Sequence, residues 1–342
     1  MKRLIYNFVQ KNLPTRLNIN SLMKYNASVN NHSKILASKF IKNEIRIRLA
    51  HRVVELDTLP FGLNDMPSIK KVTDLYINSF KLLHDIKEIH TIEESNELVN
   101  LLCDIKKQHT YVAMDISVAI RNLIETNKRK EYNFDLDSFL DKFYRSRTGI
   151  RILISHYLSM YNKERSIINK FCNPYDIIND AKEEAIFICS MTHINNIPPI
   201  HIHGVNDFTF SYIPSHLFYI TLEILKNSLY STINFHKIDN DKPINVYLSK
   251  GKDDLIIKIS DFGGGFPLED LKKIYSYGYS SNTDIPSLDD RNVLSGFGHG
   301  VPLSRLYCRY FGGELSILPF EGVGTDVFIY INRLGNTDET IL

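Results

Sequence analysis

Apolar residues recur at three- and four-residue steps through the first half of the chain, a spacing that is typical of amphipathic helices. The periodic segments cover residues 46–57, 67–83, 93–126 and 135–161. Pro60 and Gly62 punctuate the first connection, where proline and glycine would end a helix. Because no strand pattern lies between these segments, the sequence predicts a four-helix bundle over residues 44–165.

The second half of the chain alternates between helical spacing and period two, the spacing of a half-buried strand. Helices are predicted over residues 174–191, 214–236 and 303–311. Strands are predicted over residues 200–203, 208–212, 244–248, 255–260, 314–318 and 325–331. The last four strands would pair as two hairpins with glycine-containing turns. Helices mixed with an antiparallel sheet predict an α+β domain over residues 173–334, followed by a short tail over residues 335–342.

The composition fits a globular chain that is long enough for two domains. Of 342 residues, 43% are hydrophobic and 23% are charged, and 41 basic residues nearly balance 39 acidic ones. This balance argues against a protein that mainly binds nucleic acid. No apolar run reaches the roughly 18 residues of a membrane span. The four cysteines form no CxxC pair, so no zinc site is indicated.

The first 43 residues differ from the rest of the chain because they contain eight Lys or Arg and no Asp or Glu. A basic, acid-poor segment with interspersed apolar residues is typical of a mitochondrial transit peptide. The alternative is a basic N-terminal helix that belongs to the mature fold. We favour the first interpretation and predict a basic leader over residues 1–43.

The helix predicted over residues 214–236 carries the first candidate chemistry. Tyr219, Glu223, Asn227 and Tyr230 follow one another at steps of four, four and three, so they share a face apart from the apolar positions. A carboxylate one turn before an asparagine can place a general base beside a metal-binding amide oxygen. An isolated Glu-x-x-x-Asn is more often a solvated face, so this pattern depends on the motifs that follow it.

Two glycine-rich segments follow this helix. Asp261 directly follows a predicted strand, and three glycines at 263–265 come after it. These glycines permit close approach of the backbone to another group. The Asp261 carboxylate can accept hydrogen bonds from an exocyclic amine. Residues 296–301 read Gly-Phe-Gly-His-Gly-Val and precede a helix, whose N-terminus favours phosphate. Between them, residues 272–294 are rich in Ser, Asn and Asp, which predicts a mobile lid.

Taken in order, these motifs resemble the GHKL ATPase superfamily, which includes histidine kinases, gyrase and the Hsp90 chaperones. Within it, the chain resembles the mitochondrial 2-oxoacid dehydrogenase kinases from about residue 46 to residue 331. The matching segments are RIRLAHRVVELDTLPF, PSIKKVTDLYINSFKLL, FLDKFYRSRTGIRILISHYL, ILKNS, DLIIKISDFGGG, GFGHGVPLSRLYCRYFGGEL and GTDVFIYI. The resemblance implies a GHKL-type α/β sandwich that binds ATP, preceded by a regulatory helical bundle that docks on E2.

The resemblance also implies a set of site residues. Glu223 would be the general base that takes the proton from a substrate serine, and Asn227 would hold Mg²⁺. Asp261 would read the adenine amine, with Thr325 close by. The remaining nucleotide-binding positions would be Ile224, Leu225, Lys226, Ser228, Leu229, Tyr230, Gly263, Gly265, Ser280, Ser281, Gly296, Phe297, Gly298, His299, Gly300 and Val301. Such a site would act by positioning and charge neutralisation.

The implied activity is that of a protein-serine kinase of the mitochondrial matrix. It would transfer the γ-phosphate of ATP to the E1 α subunit of a 2-oxoacid dehydrogenase complex and thereby inhibit that complex. The implied cofactors are ATP and Mg²⁺, with K⁺ as a further candidate cation. The implied partners are the lipoyl domain of the E2 core and a second copy of the chain in a homodimer, whereas neither nucleic acid nor a membrane span is expected.

Three positions depart from the family's usual pattern and keep alternatives open. Phe262 and Tyr230 stand where the family commonly has arginine, which leaves a catalytically weak, ATP-binding pseudokinase as one alternative. A histidine kinase is another, although no His-Glu or His-Asp pair opens a bundle helix. Tyr219 stands where pyruvate dehydrogenase kinases have histidine, and with the short tail it favours the branched-chain complex as the target. The segments PSHLFYITLEILKN and IYSYGYSS favour the pyruvate complex instead.

Overall fold

The computed structural model of the chain describes residues 1–25, 30–60, 62–125, 135–161, 166–191, 197–237, 241–279 and 298–340. The first part is helical. Its helices are α1 (Lys2–Val9), α2 (Ile19–Tyr25), α3 (Asn31–Asp57), α4 (Pro67–Asp85), α5 (Ile92–Gln108), α6 (Val112–Glu125) and α7 (Leu136–Ser159). Helices α3, α4, α5, α6 and α7 pack on one another, so the predicted bundle is present. None of the helices in the described ranges is long and apolar enough to cross a membrane.

The sequence explains where several bundle helices begin. Thr91 accepts a hydrogen bond from the backbone of Glu94, and the Glu94 side chain returns to the Thr91 N–H, which is a complete capping box at the start of α5. Asn30 and Ser33 do the same at the start of α3. Pro67 occupies the first turn of α4, where its missing N–H costs nothing.

Two predictions for the bundle need correction. The segment 93–126 is not one helix. Helix α5 ends at Gln108, and the backbone leaves helical geometry at His109 (φ −82°, ψ 6°) before α6 starts. The proposed boundary after residue 43 falls inside α3. Ile5 and Ile19 are fully buried, so the structure has the basic N-terminal segment folded onto the bundle. The targeting role of that segment stays a prediction.

The second part combines helices with two sheets. Its elements are β1 (Asn169–Cys172), α8 (Pro174–Ser190), β2 (Ile200–Gly204), β3 (Phe210–Tyr212), α9 (Pro214–His236), β4 (Ile244–Lys250), β5 (Asp254–Ser260), α10 (Leu271–Ile274), α11 (Gly300–Tyr310), β6 (Glu314–Phe320) and β7 (Gly324–Asn332). The larger sheet has the order β2-β4-β5-β7-β6, with β2 parallel to β4 and the other pairs antiparallel. Both predicted hairpins are present, and the α+β class is confirmed.

The described helices cover one face of the larger sheet and leave the other uncovered. Helices α9 and α11 pack on strands β5, β6 and β7, and α8 packs on α9. The covered face carries fully buried aliphatic residues such as Ile257 and Ile329, while Tyr247 on the opposite face is 44% exposed. This arrangement leaves the carboxyl end of β5 and the N-terminus of α11 open beside α9, where the polar motifs lie.

A buried ion-pair cluster joins the bundle to the second domain. Glu339 from the C-terminal tail accepts hydrogen bonds from Arg48 of α3, from the Tyr310 hydroxyl at the end of α11, and from the backbone N–H of Leu17. Arg48 also bonds Glu44 one turn earlier, at 2.8 Å. Both charges of the Arg48–Glu339 pair are at least 96% buried, so removal of Arg48 would leave the Glu339 charge uncompensated, and removal of Glu339 would leave Arg48 with Glu44 alone.

Candidate active site

Helix α9 presents the candidate catalytic residues. Pro214 opens the helix at its first turn, and Leu217, Ile220 and Leu225 anchor it in the core with no exposed surface. Glu223 and Asn227 lie one turn apart on the remaining face, where Asn227 is exposed and the Glu223 side chain is 13% exposed. The predicted shared face is therefore present at the edge of the domain.

Lys226 forms an ion pair with Glu223. The Lys226 ammonium lies 2.7 Å from Glu223 Oε1, and its side chain is only 8% exposed. Sequence reasoning put Lys226 among the nucleotide-binding residues without this partner. The ion pair therefore occupies Oε1 of the candidate base.

Tyr219, one turn before Glu223, packs against α11. Its ring lies 5.2 Å from that of Tyr307 in an edge-to-face arrangement. Burial, and next the negative charge of Glu223, raise the pKa of Tyr219 well above its usual value, so this residue is a neutral phenol at physiological pH. A neutral phenol cannot exchange protons with Glu223 as an imidazole would.

Asp261 is buried at the end of β5 and accepts three hydrogen bonds. Its Oδ1 atom accepts from the N–H groups of Gly263 (2.9 Å) and Thr325 (3.2 Å), and its Oδ2 atom accepts from the Ser228 hydroxyl of α9 (3.0 Å). Burial raises the pKa of Asp261, and the three hydrogen bonds oppose this shift. A carboxylate has about four acceptor positions, so the described residues leave one position on Oδ2 for an incoming N–H donor.

The turn after Asp261 approaches α9 closely. A β-carbon added at Gly263 would lie 2.5 Å from the β-carbon of Ser231, so only glycine fits there. The carbonyl of Phe262 accepts a hydrogen bond from His236 Nε2 at 2.8 Å. The ammonium of Lys242 lies 5.9 Å from the centre of the Phe262 ring, so a cation stands near the position where arginine was expected.

The N-terminus of α11 lies beside Glu223. Helix α11 begins at Gly300, and a β-carbon there would lie 2.5 Å from Glu223 Oε2. Gly298 has a positive φ of 69°, and a β-carbon on it would lie 2.3 Å from the Tyr279 carbonyl. Residues 298–300, here called the phosphate turn, therefore place the N-terminus of α11 near the candidate base, and a helix N-terminus favours an anion.

The remaining predicted residues divide into three groups. Ile224, Leu225 and Leu229 are at most 2% exposed, and they serve the core of α9. Thr325 contributes its backbone to the Asp261 network, and Tyr230 and Val301 are half-buried nearby. Ser280, Ser281, Gly296 and Phe297, and most of the predicted lid, lie outside the described residues.

The residues near Glu223 fit a metal ion whose ligands come mainly from a bound nucleotide and water, with few from the protein. Within the described part of the chain, no group of three His, Cys, Asp or Glu residues could hold an ion. Asn227 is exposed and offers one amide oxygen, a ligand type that suits Mg²⁺. A divalent ion beside Asn227 would take its other oxygen ligands from phosphates and water.

His299 departs most clearly from its predicted role. It was expected to wrap the phosphates, but its side chain is 2% exposed and faces α6 and α7 of the bundle. Its ring therefore serves the contact with the bundle. Four bundle residues contact His299 or Tyr277, namely Ser117, Asp137, Asp141 and Tyr144. They were missed from the sequence because a helical spacing does not indicate which face meets another domain.

Comparison with known families places two models on the chain. The family described as mitochondrial branched-chain alpha-ketoacid dehydrogenase kinase matches residues 7–189. The family described as histidine kinase-, DNA gyrase B- and HSP90-like ATPase matches residues 213–334. The first match covers the bundle and the N-terminal segment, and the second covers α9, the Asp261 network and the phosphate turn.

Several known proteins are similar along most of the chain. A mitochondrial pyruvate dehydrogenase (acetyl-transferring) kinase of Arabidopsis thaliana is 32% identical over 96% of this chain and 93% of its own length. That of Schizosaccharomyces pombe is 37% identical over 70% of this chain and 60% of its own length. Mitochondrial pyruvate dehydrogenase (acetyl-transferring) kinase isozyme 3 of Mus musculus is 32% identical over 87% of this chain and 76% of its own length.

Proposed function

The chain belongs to the family of the mitochondrial 2-oxoacid dehydrogenase kinases and is a protein kinase, and we propose that it phosphorylates a serine of the E1 α subunit of such a complex and so inhibits it. One observation supports this most: α9 brings Glu223 beside the phosphate turn and Ser228 beside Asp261. A base, an anion site and an acceptor for an amine therefore lie along one edge of the domain, as phosphoryl transfer requires.

Within this proposal, ATP lies along α9 with its base at Asp261. The free acceptor position on Asp261 Oδ2 takes the exocyclic amine of adenine, and the N–H groups of the phosphate turn bind phosphate oxygens. Asn227 holds Mg²⁺, whose charge neutralises the phosphates when the ion is bound. The acceptor count at Asp261 and the exposure of Asn227 support these roles.

Glu223 acts as the general base in this proposal. It takes the proton from the serine hydroxyl as that oxygen bonds to the γ-phosphorus of ATP and the bond from this phosphorus to the oxygen of the leaving ADP breaks. The ion pair with Lys226 must open first, because the Lys226 ammonium, at 2.7 Å from Oε1, occupies the carboxylate that is to accept the proton. Phosphate oxygens offer Lys226 an alternative anionic partner, so bound ATP would free Glu223 for the reaction.

The choice of complex rests on few residues. The relatives named above are pyruvate dehydrogenase kinases, which favours the pyruvate complex. The Tyr219 phenol in place of histidine favours the branched-chain complex, as does the description of the family that matches residues 7–189. We propose the pyruvate complex as the main target and keep the branched-chain complex as the second candidate.

Phosphate incorporation from labelled ATP distinguishes these candidates. The chain is incubated with E1 from each complex, each supplied with its own E2 core, and the label in the two E1 α subunits is compared. We expect the label in pyruvate dehydrogenase E1 α to exceed the other. The reverse preference would reject the pyruvate target, whereas an acid-labile label would indicate a histidine kinase.

We also propose that the chain forms a homodimer through the uncovered face of its sheet. This face carries His203, Tyr247, Lys258 and Phe328 in one row across four strands. Lys258 lies over both aromatic rings, at 5.9 Å from Tyr247 and 5.6 Å from Phe328. Aromatic residues on an exposed sheet face suit a second protein surface. A Tyr247→Glu variant should sediment as a monomer while the wild type sediments as a dimer.

Docking on the E2 lipoyl domain and residence in the mitochondrial matrix complete the proposal. The first follows from the family and is tested by calorimetry with lipoylated and unlipoylated domains. For the second, the basic segment 1–43 is the proposed targeting signal. Because Ile5, Leu17 and Ile19 in that segment are buried, we expect it to be retained after import. The mass of the protein from isolated mitochondria tests this expectation, and a mass short of these residues would contradict it.

A further inference from the structure

The bundle contacts the catalytic domain at two places, at the phosphate turn itself and at the neighbouring segment around Tyr277. Ser117 of α6 and Tyr144 of α7 meet His299, and Asp141 of α7 meets Tyr277. We call Ser117, Asp141 and Tyr144 the bundle contact. None of these three residues is among those expected to touch the nucleotide or the metal. Their side chains nevertheless contact two residues beside the close approaches of the site, because Gly278 and Tyr279, after Tyr277, lie against Gly298, and Gly300, after His299, lies against Glu223.

The hydrogen bonds of Ser117 define how His299 is held. Ser117 Oγ donates to the Ala113 carbonyl at 2.9 Å, one turn earlier in α6. A hydroxyl has one proton and two lone pairs, so towards His299 Nε2, at 3.3 Å, Ser117 acts as the acceptor. His299 therefore donates from Nε2, and its ring stands edge-on to Tyr144, with centroids 5.8 Å apart. The histidine is fixed by a hydrogen bond and a ring contact, both from the bundle.

The other segment is held by one face of α7. The Tyr277 hydroxyl donates to Asp141 Oδ1 at 2.8 Å, and the Tyr277 N–H donates to Asp137 Oδ1 at 3.0 Å. The Tyr277 ring also stacks on Tyr144, with centroids 5.4 Å apart. Asp137, Asp141 and Tyr144 are spaced by four and three residues, so they lie on the same face of the helix.

These contacts reach the reacting groups through the backbone. Gly278 donates from its N–H to the Gly298 carbonyl at 3.2 Å, so the two segments are joined to each other. Gly300, next to His299, leaves no room for a β-carbon against Glu223 Oε2. A shift of His299 of about 1 Å would therefore move the phosphate turn relative to the base, and misplacement on that scale is costly in catalysis.

We propose that Ser117, Asp141 and Tyr144 are positioning residues for the phosphate turn, so that the helical bundle sets the affinity for Mg-ATP and the rate of transfer without touching the nucleotide. This inference rests on the proposed function, since it assumes that phosphate binds at residues 298–300. It assigns the bundle a direct part in the catalytic geometry, in addition to any docking role.

The test compares two buried serines that make similar hydrogen bonds, of which only Ser117 contacts His299. Ser38 of α3 is fully buried, donates to the carbonyl one turn earlier (Lys34, 2.7 Å) and contacts a tyrosine hydroxyl (Tyr157, 2.7 Å), all within the bundle. In the full chain, Ser117→Ala should raise the dissociation constant of Mg-ATP roughly 5- to 30-fold, whereas Ser38→Ala should change it less than about twofold. Ser117→Thr, which keeps the hydroxyl, should restore most of the affinity.

A double-mutant cycle separates positioning from general loss of stability. His299→Phe keeps a ring but removes the donor, so it should reproduce the effect of Ser117→Ala, and the double variant should be no worse than either single one. Additive effects, or equal ATP affinities for Ser117→Ala and Ser38→Ala, would overturn the inference. Should Ser117→Ala not fold, Tyr277→Phe, compared with Tyr157→Phe, tests the same contact from the α7 side.

The same experiment distinguishes failure of this inference from failure of the proposed function. Asp261→Asn provides the reference, because its effect on ATP does not depend on the bundle. Weak ATP binding by Asp261→Asn together with wild-type binding by Ser117→Ala would reject only the bundle's role. No binding of ATP by the wild type would reject the nucleotide site itself.

Discussion

Replacement of Asp261 by asparagine should separate ligand binding from stability. Asparagine keeps the Oδ1 acceptor for the Gly263 and Thr325 N–H groups, but it places an amide N–H₂ where Oδ2 faces Ser228. In the proposed complex the same N–H₂ group would oppose the adenine amine, donor against donor. Affinity for ATP should therefore fall, while the fold keeps most of its contacts at this position.

The magnitude follows from the type of bond that is lost. A hydrogen bond to a charged group contributes about 1.5–3 kcal/mol, which corresponds to a roughly 10- to 150-fold higher dissociation constant for ATP. GTP, which carries a carbonyl in place of the amine, should not be weakened. Ser228→Ala is the matched control, because it removes one hydrogen bond to the carboxylate and leaves its charge in place, so its effect on ATP should be smaller.

Whereas Asp261→Asn should lower the affinity for ATP, it should not lower the stability of the fold. Because burial raises the pKa of Asp261 above its ordinary value of 3.8, ionisation of this residue costs the folded state free energy at neutral pH. That cost disappears as the pH falls through the raised folded-state pKa. Neutral asparagine avoids this cost, so Asp261→Asn without ligand should melt at or above the wild-type temperature at pH 7. The difference in melting temperature between the variant and the wild type should become smaller as the pH is lowered.

Calorimetric titration with ATP and GTP, together with thermal melts from pH 4 to pH 7, measures both effects. An Asp261→Asn variant that binds ATP as tightly as the wild type would remove Asp261 from its proposed role. A variant that melts several degrees lower at pH 7 would refute the reasoning from the buried charge.

Three further outcomes are expected. Glu223→Gln should bind ATP nearly normally in calorimetry and lose about 10²–10⁴-fold in transfer; wild-type turnover would reject Glu223 as the base. Glu339→Gln leaves the buried charge of Arg48 without its main partner, so urea denaturation should show a loss of about 3–5 kcal/mol, against less than about 1 kcal/mol for Asp65→Asn in an exposed pair. Burial lowers the pKa of His216 to about 3 in the folded state, whereas the unfolded state binds this proton near pH 6.5. The free energy of unfolding should therefore fall as the pH drops below about 6.5. His216→Phe should flatten this pH dependence in thermal melts.

The sequence predicted the elements whose patterns are local. The period-two strands around the turns at 250–253 and 321–324 form hairpins because alternation and turn residues both act within a few positions. Helix α9 begins at Pro214 as expected, and its polar face holds Glu223 and Asn227. Asp261 could be singled out because an aspartate that follows a strand and precedes a run of glycines is visible as a motif, and its role stays a prediction.

Features that depend on contacts between distant segments were not predictable. The basic composition of residues 1–43 suggested a leader, yet Ile5 is buried because α1 packs on α3. The burial of Glu339 depends on Arg48, which is 291 positions away in the chain. His299 stands in a glycine-rich motif that points to phosphate, but its ring faces Ser117 of the bundle. Spacing alone specifies a helix face, and it does not specify what that face meets.

The most direct test of the proposed function is transfer of labelled phosphate from ATP to E1 α by the wild type and by Glu223→Gln. The wild type should place an acid-stable label on a serine of E1 α and inhibit the complex. Glu223→Gln, with ATP affinity verified by calorimetry, should reduce the label at least about 100-fold. Absence of label from the E1 α subunits of both complexes, in a wild-type protein that binds Mg-ATP, would contradict the account.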